Sequence, residues 1–254
     1  MKENTLKKKL QDGKAVLGPF CKISDPAVGE IAALSGFDFF IIDMEHGPYS
    51  YESAQNMIRA AEARGISPVI RVTDNSETLI LRALDIGAKN IQVPQVCTKS
   101  DAEKVVKAAY FHPRGERGMC RYVRAADYTS IDGKTHFGTA NQQVQTIVHI
   151  EGLEGIQNLD EIMSVDGIDV IFLGPYDLSQ SCGVPGEVFH DKVLSRMKEA
   201  VALARKKGKI LGTFTEDVQK AKMWADLGVQ YIAYSVDVGI LNTAFSKISK
   251  DFRS

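Results

Sequence analysis

The sequence predicts an α/β fold, a single (β/α)8 TIM barrel over residues 1–254, from three observations. Eight short apolar runs, each too short for a helix, alternate with amphipathic helical stretches. The length of 254 residues suits eight βα units. The segment after the first run, SDPAVGE, lacks the glycine-rich phosphate loop that an open doubly wound sheet places there.

In chain order, MKENTLKKKLQDG is basic, lacks the apolar segment of a signal peptide and reads as a short surface helix. Residues 15–23 form the first strand, and Asp25 with Pro26 caps and opens a helix to about Ser35. The run FDFFIIDM (37–44) is the second strand and empties into Glu45, His46 and Gly47 before Ser50 caps the next helix. Residues 68–72 are the third strand with Arg71 near its exit, 77–86 a helix, and 90–96 the fourth strand. Ser100 with Glu103 makes a capping box for a helix over 101–111. Residues 112–138 are too long and polar for an ordinary connection. They carry Arg114, Arg117, Arg121 and Arg124, enough cation to attract an anionic substrate or a neighbouring subunit's acids. Strands over 146–150 and 169–173 flank a helix over 155–165; a helix over 191–207 follows. The last elements are a strand over 209–214, a helix over 216–227 capped by Thr215, a strand over 230–236 and a helix over 237–252.

A net charge of −1 gives no basic excess for nucleic acid, and no run approaches a membrane span. Cys21, Cys97, Cys120 and Cys182 are scattered without paired spacing, as expected of free thiols in a reducing cytoplasm.

In a barrel the active site lies at the C-terminal ends of the strands. His46, Arg71, Gln95, Glu151 and Asp177 stand at such ends. Glu151 and Asp177 leave neighbouring parallel strands about 4.8 Å apart. They converge on a hard divalent cation, or each is simply a first-turn acid beside a helix dipole. Alternation puts Ile147, His149 and Glu151 on one face of their strand. His149 therefore looks into the mouth or bonds a neighbouring backbone group. His46 is a rim base or a surface histidine. Arg71 suits a carboxylate or a developing enolate oxygen. Asp85 ends a helix, where an acid is ordinarily solvated. Cys97 and Cys120 have no evident activating base in sequence.

FDFFIIDMEHGP, PVIRV, LRALDIGA, HPRGERG with RAADY, IEGLEGIQNLDEI and, above all, GIDVIFLGPYDLSQSCGVPG together resemble the HpcH/HpaI class II aldolases over nearly the whole chain. The resemblance implies reversible cleavage of a 4-hydroxy-2-oxo acid to pyruvate and an aldehyde, dependent on Mg²⁺ or Mn²⁺, with Co²⁺ a further option. It implies Glu151 and Asp177 as metal ligands, His46 as catalytic base, Asp85 raising the basicity of that histidine, and Arg71 steadying the enolate. The backbone of Gly174, Pro175 and Tyr176 would meet the substrate carboxylate. It also implies a homo-oligomer, a hexamer built as a trimer of dimers with exchanged C-terminal helices. The chain departs from the common pattern at His149 (usually Gln), Gln95 (usually Met) and Tyr176 (usually Ala). These sit at the pocket rim and bear on substrate choice, with His149 expected beside the metal ligands and not among them. A citrate-synthase-like or acyl-CoA lyase reaction on the same site is the alternative; a non-catalytic scaffold is disfavoured by the intact His46, Arg71, Glu151 and Asp177.

Overall fold

The computed structural model describes residues 3–254. Its elements run α1 (Thr5–Gln11), β1 (Val16–Cys21), α2 (Pro26–Leu34), β2 (Phe39–Asp43), α3 (Tyr51–Arg64), β3 (Ser67–Arg71), α4 (Glu77–Asp85), β4 (Asn90–Val93) and α5 (Lys99–Ala109). A 3-10 segment (Arg124–Thr129) and α6 (Gly133–Gln143) precede β5 (Gln145–Ile150). Then come α7 (Leu153–Gln157), α8 (Leu159–Met163), β6 (Val170–Leu173), α9 (Pro175–Ser181), α10 (Asp191–Lys207), β7 (Ile210–Thr215), α11 (Val218–Asp226), β8 (Tyr231–Val236) and α12 (Asp237–Arg253). The eight strands close into a barrel in sequence order, and every pairing is parallel. This is the predicted (β/α)8 architecture.

Strand alternation sorts the core into two layers. Val16, Phe20, Phe39, Ile41, Val69, Ile147, Val170, Phe172, Tyr231 and Ala233 fill the barrel, with Phe39 stacked on Tyr231 at 4.3 Å between centroids. The alternate residues, among them Phe40, Ile42, Ile70, Val148, Ile150 and Ile171, pack outward against the helices. Burying these side chains contributes roughly 1.5–3 kcal/mol each.

Several local expectations are corrected. The N-terminal helix does not lie on the surface: Leu6 and Leu10, spaced i,i+4, are fully buried in the inner layer and close the barrel floor. Lys7 secures it through Val144 O at 2.7 Å and Asp169 Oδ1 at 3.1 Å. The cap of α5 is Thr98, which exchanges hydrogen bonds with Asp101, and not Ser100. Asp217, which accepts from Lys220 N–H, caps α11 in place of Thr215. The expected helix over 155–165 breaks at Asn158 into α7 and α8, and the Asn158 amide donates to Cys97 O.

The connection over 112–138 is not irregular throughout, and its arginines mostly serve the protomer. Arg117 binds Asp85 at 2.7 Å, Arg124 binds Glu62 at 2.5 Å, and Arg114 lies over the Tyr110 ring. Arg121, which is exposed, lies 5.8 Å from the Tyr122 ring centroid. Among the described residues no helix is long and apolar enough to cross a membrane, and the four cysteines are free.

Candidate active site

A cavity of about 280 Å³ opens at the C-terminal ends of the strands. Its walls follow from the inward face of each strand. On β2, Phe39, Ile41 and Asp43 share that face, and on β3 Val69 and Arg71 share it; the register sets Asp43 directly opposite Arg71. The pair is bidentate, Arg71 Nε to Asp43 Oδ1 at 2.9 Å and Nη2 to Oδ2 at 2.8 Å. Asp43 is fully buried and also accepts the main-chain N–H groups of Glu45 and His46, each at 3.2 Å. Burial would raise its carboxyl, but the hydrogen bonds and charge of Arg71 outweigh that and hold it below the usual range. The free edge of Arg71 faces Glu45, with Nη1 2.8 Å from Oε2. Burial leads the causes that push Glu45 up.

On β5 the inward face continues through Ile147 and His149 to Glu151. Register pairs His149 with Phe172 on β6, and the two rings stack at 4.3 Å. His149 Nδ1 lies 2.8 Å from Glu151 Oε1. A carboxylate only accepts, so Nδ1 carries the proton and Nε2 is left a bare acceptor, buried and without a partner among the described residues. Burial leads the causes that lower His149, which keeps the ring neutral. For Glu151 burial works upward, but the His149 hydrogen bond and the Gln95 N–H, 3.2 Å from Oε2, hold it below its usual value. Gln95 takes a left-handed backbone (φ 55°) to make that contact, a local strain of the kind that collects at functional sites.

Beyond β6 the chain turns through Gly174 into α9, whose first turn carries Tyr176 and Asp177. A Cβ on Gly174 would stand 3.0 Å from Glu151 Cγ and 3.8 Å from Asp177 Oδ2. The missing side chain therefore leaves a cradle flanked by both carboxylates. Among the described residues no group of three or more His, Cys, Asp or Glu side chains is gathered for a metal. The donor set fits an oxygen-preferring divalent ion that takes two protein carboxylates and completes its shell from substrate and water.

The cavity brings together Arg71, His149, Glu151, Gly174, Pro175, Tyr176 and Asp177. It does not take in His46 or Asp85, nor Gln95, which meets the site only through its main-chain N–H on Glu151. The His46 side chain is 63% exposed, with Nε2 3.9 Å from Glu45 Oε2. Asp85 ends α4, which returns to the barrel floor, and there it pairs with Arg117; within one protomer it lies at the opposite end from His46. Sequence reasoning overlooked Asp43, Lys22, Phe214 and Glu216, all of which line the cavity. For Asp43 the signal was present: the alternation that exposes Glu151 to the mouth does the same for an acid ending FDFFIID.

Known proteins resemble this chain over nearly its full length. The chain is 33% identical over 251 residues to a hydroxypyruvate/pyruvate aldolase of Pseudomonas aeruginosa, covering 98% of this chain and 93% of that one. Its fold superposes with a TM-score of 0.94 on an HpcH/HpaI aldolase/citrate lyase family protein from Burkholderia cenocepacia, at 32% identity over 99% of this chain and 100% of the other. The citrate synthase SbnG also superposes, with a TM-score of 0.88 and 32% identity over 98% of this chain and 97% of that one. Residues 17–244 match the family described as HpcH/HpaI aldolase/citrate lyase. With that span added to a relative matched over 98% of this chain, the chain belongs to the HpcH/HpaI aldolase/citrate lyase family.

Proposed function

We propose that this protein is a divalent-metal-dependent lyase that reversibly cleaves a 4-hydroxy-2-oxo acid to pyruvate, or a related 2-oxo acid, and an aldehyde. The observation that carries this reading is the juxtaposition at one mouth: Glu151 and Asp177 flank the space over Gly174, and Arg71 is fixed in the wall by Asp43. The kinship with a hydroxypyruvate/pyruvate aldolase supports it.

Glu151 and Asp177 would hold Mg²⁺ or Mn²⁺, with Co²⁺ a further option. A bound ion supplies a Lewis acid for the keto group of the oxo acid as the C3–C4 bond breaks. His149 orients Glu151 through its Nδ1–H and keeps that carboxylate ionised. The main chain of Gly174, Pro175 and Tyr176 receives the substrate carboxylate. Arg71 meets the negative charge that the C3–C4 electron pair delivers to the keto oxygen; its orientation is set in advance by Asp43, so little reorganisation is needed. We assign removal of the 4-hydroxyl proton to His46. Its main chain is fastened to the same Asp43 carboxylate and its imidazole is exposed at the rim. As that proton leaves, C4–O becomes the aldehyde carbonyl, and its return to C3 completes pyruvate.

Asp85 is assigned the support of His46. Because the two lie at opposite ends of one protomer, that support would come from a neighbouring subunit. A hexamer with exchanged C-terminal helices fits the surface of α12, where Leu241, Phe245, Ile248 and Phe252 form an exposed apolar face and Phe252 is 89% exposed. The free cysteines suit a reducing cytoplasm.

Similarity to the citrate synthase SbnG favours a second reading, condensation of oxaloacetate with an acyl-CoA. One assay separates the two: the metal-supplemented protein is offered a panel of 4-hydroxy-2-oxo acids with pyruvate detection, and separately oxaloacetate with acetyl-CoA. Pyruvate from the panel supports the aldolase reading. Citrate without pyruvate release replaces it with the synthase reading, and no product from either reverses both.

A further inference from the structure

Beside the mouth cavity, between α9, α10 and α11, lies a second one of about 150 Å³. Val188, Phe189, Met197 and Trp224 line its far side, and Met197 and Trp224 are almost fully buried. Pro175, Tyr176, Phe214 and Glu216 line both cavities, so they form the wall between them. Two carboxylates in the lining of the side cavity each have a partner. Glu216 Oε2 accepts from the Tyr176 hydroxyl at 2.8 Å, and Asp217 Oδ1 accepts from Lys220 N–H at 2.9 Å. The rest of the lining, apart from Thr215, is hydrocarbon and aromatic ring: Pro175, Val188, Phe189, Met197, Phe214 and Trp224.

The wall is lightly fastened where Tyr176 forms it. That side chain is 45% exposed, meets Phe214 edge-on at 5.9 Å between centroids, and among the described residues has one hydrogen bond, to an exposed carboxylate. Turning the ring outward exchanges that bond for one with water. Phe214 and Trp224, by contrast, are held by the barrel and by α11.

We propose that this side cavity is the subsite for an apolar substituent on the aldehyde half of the substrate, and that Tyr176, latched to Glu216, is the door between it and the mouth cavity. The inference rests on the aldolase reading above. On that reading the oxo acid half is fixed through its carboxylate at the main chain of Gly174, Pro175 and Tyr176 and through its keto group beside Arg71, Glu151 and Asp177, and pyruvate has no substituent beyond C3. Only the group carried on C4 extends past the carboxylate pair, and the wall of Tyr176, Phe214 and Glu216 is the part of the cavity with further space behind it.

The test is the aldol direction with full-length, metal-loaded protein, pyruvate, and the straight-chain aldehydes from acetaldehyde to hexanal. The subsite predicts that kcat/KM rises with chain length, up to about fourfold for each methylene buried, mostly through KM. Val188→Trp, which fills the cavity from a partly exposed position, should bring the hexanal-to-acetaldehyde ratio of kcat/KM close to one. Phe189→Ala, which strips a wall, should also lower it, and this second variant covers a failure of the first to fold. Tyr176→Phe, which removes the latch but keeps the ring, should raise the ratio severalfold. Product from acetaldehyde with a flat or falling chain-length series, or a ratio unmoved by filling or stripping the cavity, overturns the subsite and leaves the aldolase reading standing. No product from any aldehyde overturns both.

Discussion

Asp43→Asn removes one charge from a pair that the barrel's register forces together, and its cost can be worked from the contacts. Asn keeps an oxygen for Arg71 Nε and for the Glu45 and His46 N–H groups, but its amide nitrogen would meet Arg71 Nη2 donor to donor across 2.8 Å. Removing one partner of a buried ion pair costs about 3–5 kcal/mol. Arg71 keeps the Glu45 carboxylate at 2.8 Å, so about 2–4 kcal/mol is expected here, or a fall in Tm of roughly 5–15 °C for a chain of this size. Because a reacting group misplaced by about 1 Å can lose ~10²-fold in rate, turnover should fall by about that factor in the same variant. The pH dependence follows from the direction of the Asp43 shift. Its folded carboxyl lies below its ordinary value of 3.8, so its stabilisation is complete above the unfolded pKa and is lost as pH falls through the folded one. The gap in Tm between wild type and Asp43→Asn should be widest near neutral pH and narrow below about pH 4. Thermal melts of both proteins from pH 3 to pH 8 measure it. Equal melting points at pH 7, or a gap that does not change with pH, would refute the argument.

Three further outcomes follow from the site. His46→Ala should reduce kcat by roughly 10²- to 10⁴-fold while calorimetry finds Mn²⁺ affinity little changed; near-normal turnover would remove His46 from the mechanism. Gly174→Ala sets a methyl 3.0 Å from Glu151 Cγ and 3.8 Å from Asp177 Oδ2. It should weaken Mn²⁺ binding about tenfold or more with an unchanged far-UV spectrum, and unweakened binding would argue against the cradle. His149→Gln should retain metal binding and change KM or substrate preference more than kcat; loss of several orders of magnitude in metal affinity would instead make the imidazole a ligand.

Much of the barrel was legible because its signal is periodic. Apolar runs with one inward and one outward face identify strands without tertiary information, and the same alternation located His149 and Glu151 on one wall. What escaped was set by contacts between distant residues. Leu6 and Leu10 are two apolar positions in one short lysine-rich helix, and nothing local says that the barrel floor receives them. Thr98 and Ser100 are both acceptable caps; the choice falls to Thr98 because Asp101 stands at its third helical position and bonds back. Asp43 was missed although its alternation matched that of Glu151, since its importance comes from Arg71, which lies 28 residues away in sequence and opposite it in register. The arginines after α5 read as a cationic loop, but their partners Asp85 and Glu62 are supplied by α4 and α3.

The most direct test of the account is pyruvate release from a 4-hydroxy-2-oxo acid before chelation, after complete removal of divalent metal by EDTA, and after addition of Mg²⁺ or Mn²⁺. The account predicts loss and restoration of activity in wild type, with neither Glu151→Gln nor Asp177→Asn restored by metal although both remain folded. Pyruvate release that survives full chelation, or a restored Glu151→Gln enzyme, would contradict it.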